Sequence, residues 1–171
     1  MTYSHPVVIN STHITQGYDC GKTALNDFLK KYALPNNAAG VTKTYVVTLE
    51  DQKTVVGFLS LAAGSVEHAL APERITKGTP RHPIPVILLA RLGVDLNHQK
   101  KGIGPGMLKF AFVKILEVSK IIGVRAIFIQ AKDQSAIDFY TKYGLVPSPI
   151  DPFHMFMLLK DCQKSLNLQG Q

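Results

Sequence analysis

The chain has no tryptophan and only two cysteines among its 171 residues, and both scarcities narrow the reading. Cys20 and Cys162 show no metal or redox spacing, so the sequence does not read as a disulfide-stapled secreted module, and it fits a reducing compartment. Long apolar runs are also lacking: no uninterrupted segment approaches the roughly 20 residues that a membrane helix needs. The opening Met1-Thr2-Tyr3-Ser4-His5-Pro6 has no basic stretch leading into an apolar one, which is not the pattern of a signal peptide, and the expected location is the cytoplasm. Repeats, low-complexity tracts and dividing linkers are absent from the pattern. A 46% hydrophobic chain of this length is therefore expected to fold as a single domain over residues 1–171.

Acidic residues are the remaining shortage. Twelve Asp and Glu stand against nineteen Lys and Arg, a formal net charge of +7. That balance suits anionic partners such as nucleic acid, an acidic protein or a phosphorylated cofactor, and it also serves plain solubility. Lys22, Lys30 and Lys31 lie in the first predicted helix, Arg74, Lys77, Arg81 and His82 in a proline-rich connector, and Lys100 and Lys101 in a glycine turn. No single run of like charge dominates, so a disordered basic tail is not the explanation.

Along the chain, Val7-Val8-Ile9 reads as a short strand. A helix is predicted through Leu25, Phe28, Leu29 and Tyr32, spaced i, i+3, i+4, i+7, with Pro35 ending it. Thr44–Leu49 and Val55–Ala62 read as strands of a hairpin around Glu50-Asp51-Gln52-Lys53. Residues 67–85 hold four prolines and are expected to be mostly irregular. Val86–Val94 is a continuous apolar strand. Pro105 occupies the expected first position of a helix running through Leu108, Phe112, Ile115 and Leu116 to Ile122-Gly123. Ala126–Gln130 is a buried strand, Asp133–Tyr143 a helix stopped by Gly144, and Met155–Leu159 a closing strand. Strand, helix, strand in the second half implies a right-handed crossover and parallel neighbours, whereas the hairpins imply antiparallel ones. The expected fold class is α/β (α+β), a mixed sheet with helices on both faces.

The most informative stretch is Val86–Gly104, VILLARLGVDLNHQKKGIG, a strand feeding a glycine-bearing helix N-terminus. Unpaired backbone N–H groups and the helix dipole converge at such a point and favour an anion. The run is neither a P-loop, which needs Gly-x4-Gly-Lys-Ser/Thr, nor a dinucleotide fingerprint, because the third glycine is misplaced. Gly102 and Gly104 let the backbone approach an anion while Gln99, Lys100 and Lys101 supply donors and charge; the alternative is a merely tight strand-to-helix connection. In a second constellation, Asp133, Ala136, Ile137 and Tyr140 share one helical face. The Tyr140 phenol can donate a proton to a leaving group, or it can simply be half-buried with its hydroxyl at the surface.

Gln99-x-x-Gly102-x-Gly104 resembles the Gln/Arg-x-x-Gly-x-Gly/Ala signature of the GCN5-related N-acetyltransferases (GNAT). Asp133-x-x-Ala136-x-x-Phe139-Tyr140-x-x-Tyr143-Gly144-Leu145 resembles their later Asn-x-x-Ala-x-x-Phe-Tyr-x-x-x-Gly-Phe motif. A narrower resemblance rests on Tyr18-Asp19-Cys20-Gly21, Leu25-Asn26-Asp27-Phe28-Leu29, Lys43-Thr44-Tyr45-Val46-Val47, Leu89-Ala90-Arg91-Leu92-Gly93-Val94-Asp95 and Pro147-Ser148-Pro149-x-Asp151-Pro152. These look like the toxin branch of type II toxin–antitoxin modules, which acetylates the amino group of aminoacyl-tRNA and blocks translation. Two departures stand out. Asp133 replaces the usual Asn, and Pro105 removes one N–H from the phosphate turn.

The resemblance implies a mostly antiparallel sheet whose central parallel strands splay to admit acetyl-CoA. Leu92, Gly93 and Val94 would hold the pantetheine and acetyl carbonyl, Gln99, Lys100, Lys101, Gly102, Ile103 and Gly104 the phosphates, and Asp133 and Phe139 further parts of the coenzyme. Gly93 would admit the thioester closely where a side chain would block it. Tyr140 would protonate the departing thiolate. A strong base is dispensable for an α-amino group, which titrates at about 7.7–8.0. Arg91, Arg81 and Lys30 are the expected substrate contacts; Arg91 faces either solvent or the acceptor, or else serves as an ion-pair partner. The basic residues of the first helix and the 74–82 connector would line a tRNA-sized groove. His98 and His154 lack ligand spacing, and no metal is expected. The implied partners are aminoacyl-tRNA, a ribbon-helix-helix antitoxin and a second copy in a homodimer. A small-molecule amine or a protein N-terminus is the alternative acceptor.

Overall fold

The computed structural model describes residues 2–169. Seven strands lie in the order β1-β2-β3-β4-β5-β7-β6: β1 Val7–Val8, β2 Lys43–Thr48, β3 Val55–Val66, β4 Ile84–Val94, β5 Ala126–Gln130, β6 Val146–Pro147 and β7 His154–Leu158. The helices are α1 Thr23–Asp27, α2 Ala33–Ala38, α3 Glu73–Thr76, α4 Ile103–Ser119, α5 Gln134–Lys142 and α6 Leu159–Gln169. The sheet is mostly antiparallel, with β4 and β5 as its parallel pair. The chain forms two compact units, 1–62 with 90–110, and 63–89 with 111–171. Each crossing falls inside an element (β3, β4, α4) rather than in a linker.

In the first unit, β1, β2 and β3 pair antiparallel. The β2–β3 turn is closed by the Asp51 carboxylate, which accepts the Lys53 and Thr54 N–H groups, while Gln52 takes a left-handed φ of 57°. Thr44 and Ser60, opposite one another, satisfy their buried hydroxyls mutually at 2.8 Å. Ile9, Tyr18, Leu25, Phe28, Leu29, Val46 and Phe58 pack into one apolar cluster. Pro35 does not end the first helical segment. A π-helical stretch, Phe28–Tyr32, follows α1, and Pro35 sits in the first turn of α2, where a missing N–H costs no intrahelical bond. The wider π turn hands the chain from α1 to α2 without a loop.

In the second unit, β5 runs parallel to β4 over Val86–Leu89 against Ala126–Ile129 and antiparallel to β7 on its other side. Val66, Ile75, Ile84, Val86, Ala126, Phe128, Phe156 and Leu158 form the core. β4 is apolar on both faces, the pattern of a central strand, and it continues beyond that ladder to Val94. The connector predicted to be irregular holds a 3-10 turn at His68–Leu70 and α3, and is fastened by Arg125, whose guanidinium donates to the Ile75 and Lys77 carbonyls at 2.9 and 3.1 Å. α6 and β6 are additions to the sequence reading. Leu159 opens α6 instead of closing the last strand.

Candidate active site

One group of expected site residues grows from the C-terminal end of β4. Asp95 is buried, and its carboxylate ties two segments together. One oxygen accepts the Asn97 N–H at 2.9 Å, capping a 3-10 turn, and the other accepts the Asp19 N–H at 3.0 Å. The Asp95 N–H donates to the Val56 carbonyl and the Leu96 N–H to the Asp19 carbonyl, both at 2.8 Å. Asp19 in turn accepts the Gly21 N–H and the Asn26 side-chain N–H, while the Asn26 side-chain oxygen accepts the Cys20 N–H. These hydrogen bonds hold the Asp19 carboxyl below its usual range. The sequence reading gave Asp19, Asn26 and Asp95 no role. Their signals were an Asx-turn pattern, Asp19-x-Gly21 and Asp95-x-Asn97, with Gly21 left-handed at φ 86°.

Beyond this clamp lies the glycine turn. Lys100 adopts φ 62° and Gly102 φ 86°. A lysine in the left-handed region costs roughly 1–3 kcal/mol and is held there by the surrounding turn. The Gly106 N–H closes the first helical bond on the Gly102 carbonyl, so the Ile103 and Gly104 N–H groups precede it without an intrahelical partner. Pro105 is the third residue of α4, not the first; its missing N–H falls in the first turn, where none is needed. An open groove of about 250 Å³ adjoins the turn, lined by residues that include Tyr3, His5, Lys101, Gly102 and Gly106. The exposed Gln99 side chain donates its amide to the Val94 carbonyl at 3.0 Å. That donor ties the turn to the strand end, so Lys100, Lys101 and the backbone remain to meet an anion. The arrangement fits a pyrophosphate, with two exposed ammonium groups beside a helix N-terminus.

Along β4, Gly93 is surrounded by protein. A Cβ there would lie 2.7 Å from Tyr18 Oη and 3.2 Å from Phe58 Cε1. The need for glycine at 93 is therefore visible as packing within this unit. Leu92 and Val94 are half-buried. Arg91 forms no ion pair among the described residues; its guanidinium lies 3.8 Å above the Phe28 ring centroid, and partial burial lowers its pKa. Stacking of this kind leaves the in-plane donors of a guanidinium free for a ligand. Lys30 is exposed, and Lys31 pairs with Asp27 at 3.7 Å.

The remaining expected site residues belong to the other unit. Asp133 caps α5, its carboxylate accepting the Ala136 N–H at 2.8 Å. Its place at the coenzyme was expected; the structure gives the carboxylate a helix to start. Ala136, Ile137 and Phe139 are half-buried. Tyr140 is 6% exposed, and its hydroxyl makes no hydrogen bond among the described residues. Burial pushes the phenol well above its usual range, so it is protonated at every physiological pH. The Phe139 ring stands 5.2 Å from both the Tyr140 and the Tyr143 rings. Gly144, at φ 96°, is the left-handed residue that ends the helix. In the connector, Arg74 is engaged by Asp161 at 2.6 Å, and Arg81 is exposed. Among the described residues no group of three His, Cys, Asp or Glu is placed to hold a metal, and no helix is long and apolar enough to cross a membrane.

Comparison with known proteins places these features in context. The model of the acetyltransferase (GNAT) domain matches residues 42–146. A tRNA-acetylating toxin from Mycobacterium tuberculosis (strain ATCC 25618 / H37Rv) is 39% identical over 161 residues, which span 94% of this chain and 95% of that protein. The structure of AtaT complexed with acetyl-methionyl-tRNAfMet superposes with a TM-score of 0.86 at 23% identity, covering 99% of this chain and 100% of that one. The crystal structure of AtaTR bound with acetyl-CoA gives 0.81 at 23% identity, covering 95% of this chain and 96% of that one. At such identities the two structures speak for the fold.

Proposed function

The chain belongs to the GNAT acetyltransferase family, and from that premise we propose that it is a toxin that transfers the acetyl group of acetyl-CoA to the amino group of aminoacyl-tRNA, blocking translation. The observation that carries this reading is the kinship, along nearly the whole chain, with a tRNA-acetylating toxin. The +7 charge and the preformed anion turn support it.

Acetyl-CoA, when bound, supplies the acetyl group as an activated thioester and departs as the thiol. Lys100, Lys101 and the N–H groups of Gly102, Ile103 and Gly104 hold its phosphates, and the Leu92–Val94 backbone orients its acetyl end. Asp133 and Phe139 are the further residues that contact the coenzyme in this reading. Tyr140, protonated throughout the working range, gives its proton to the departing sulfur and regains one from the amine that has formed the new C–N bond. A phenol held above its usual range does not persist as a base, so the proton passes through and the residue ends neutral. No separate base is required, because an α-amino group near 7.7–8.0 is about half neutral at slightly alkaline pH. Arg91, Lys30 and Arg81 contact the tRNA. The whole of 1–171 works as one acetyltransferase domain, in the cytoplasm, as a homodimer held in check by a ribbon-helix-helix antitoxin.

The test is transfer of radiolabel from acetyl-CoA to a pool of charged tRNA beside the same pool uncharged. Label on charged tRNA alone, falling steeply as salt displaces the phosphate contacts, is the expected result. Label on neither, with acetyl-CoA bound, refutes the acceptor and moves the search to small amines and protein N-termini.

A further inference from the structure

Tyr18 is 2% exposed, and its hydroxyl oxygen is buried without a hydrogen-bond partner among the described residues. The polar atom beside it is Cys20 Sγ, a weak acceptor that acts on the phenol electrostatically but lies outside hydrogen-bond geometry, its own hydrogen going to the Lys22 carbonyl at 3.7 Å. A buried hydroxyl left unpaired is a standing cost, which a phenylalanine of the same shape would avoid. The hydroxyl nevertheless has a fixed address. It stands over Gly93, where an added Cβ would come within 2.7 Å of it. The ring is held edge-on to Phe58 at 5.7 Å. The residue after it is bound to the end of β4 twice, through the Asp19 N–H to Asp95 and the Asp19 carbonyl to Leu96. The phenol is thus fastened to the strand beside which it stands.

We propose that Tyr18 is a positioning residue for acetyl transfer: its hydroxyl bears on Gly93 and sets the Leu92–Val94 backbone that orients the thioester. The inference rests on the acetyltransferase reading of that strand. It accounts together for tyrosine rather than phenylalanine at 18 and for glycine at 93, and it gives the unpaired hydroxyl a use. Tyr18 touches no substrate; it acts through Gly93.

The experiment compares the full-length protein with Tyr18→Phe by thermal unfolding, by calorimetric titration with CoA and with acetyl-CoA, and by transfer to charged tRNA. Removing an unpaired hydroxyl is expected to raise Tm by about 2–4 °C. CoA affinity, held by the phosphate turn, stays within about twofold, while the preference for acetyl-CoA over CoA falls toward one and kcat drops by about tenfold. A purely structural role moves stability without moving that preference. An unchanged preference, an unchanged kcat or a lowered Tm each overturns the proposal. A wild-type protein that prefers acetyl-CoA but labels no charged tRNA defeats the acceptor reading instead, and the binding preference still decides the role of Tyr18.

Discussion

Replacing Gly93 by alanine puts one methyl group where the structure has no room for it. The new Cβ would meet Tyr18 Oη at 2.7 Å, Phe58 Cε1 at 3.2 Å and Cys20 Sγ at 3.5 Å. The first of these is closer than unstrained contacts allow. Phe58 cannot retreat, being fully buried and stacked against Phe28 with centroids 6.1 Å apart. Overpacking of this kind costs about 1–3 kcal/mol, which for a domain of this size lowers Tm by roughly 2–12 °C. Because the closest atom is the Tyr18 hydroxyl, Tyr18→Phe in the same chain removes the worst contact. The double variant is expected to regain at least half of the lost stability, a coupling of about 0.5–3 kcal/mol between residues in contact. Thermal and urea unfolding of the four proteins in the cycle measures it. A Gly93→Ala variant as stable as wild type, or losses that simply add, would refute this account of the strand.

Other consequences follow from single residues. Tyr140→Phe is expected to lower kcat by about 10²–10⁴-fold while leaving acetyl-CoA affinity nearly intact, as steady-state transfer and calorimetry would show. Asp133→Ala removes the α5 cap and is expected to destabilise by about 0.5–2 kcal/mol in urea unfolding, whereas Asp133→Asn, which still caps, stays near wild type. Cys162 is fully buried, and burial pushes its thiol up to about 12. The unfolded chain gives up this proton near pH 9 and the folded chain keeps it, so the associated stability is complete below pH 9 and is lost as pH rises toward 12. Urea unfolding at pH 8.5 and 10 should therefore show a shallower decline for Cys162→Ala than for wild type.

Strands with strong β formers and continuous apolar character were legible from the residues alone. β5 lies at Ala126–Gln130 as read, and β2 and β4 differ from the reading by one or two residues at their ends. The alternation of strand and helix after residue 84 correctly implied the parallel pair. Failures cluster where tertiary packing overrides a local signal. Pro35 looked like a stop because its ring blocks a helix interior, yet the π turn before it turns that position into a first turn. β3 runs on to Val66 through Ala62-Ala63-Gly64, residues with little strand preference, because it is hydrogen-bonded beside β4 in the sheet. α6 has few buried side chains, so its period was faint; Cys162, packed near the Phe112 carbonyl, is its inward anchor. At the candidate site, the motifs pointed to the glycine turn and to Tyr140 but not to which side chains serve the protein itself. Gln99 and Asp133 are polar groups of the motifs, and the structure spends a hydrogen bond of each on its own backbone. No spacing rule reports that, since a donor or acceptor within reach of a ligand is equally within reach of the backbone beside it.

The measurement that bears most directly on the central claim is mass spectrometry of the aminoacyl-adenosine released by nuclease from charged tRNA after incubation with the protein and acetyl-CoA. The account predicts an acetyl group on the α-amino nitrogen of that fragment, formed by the wild-type chain and nearly absent with Tyr140→Phe. Unmodified aminoacyl-adenosine after full incubation with protein that demonstrably binds acetyl-CoA would contradict it.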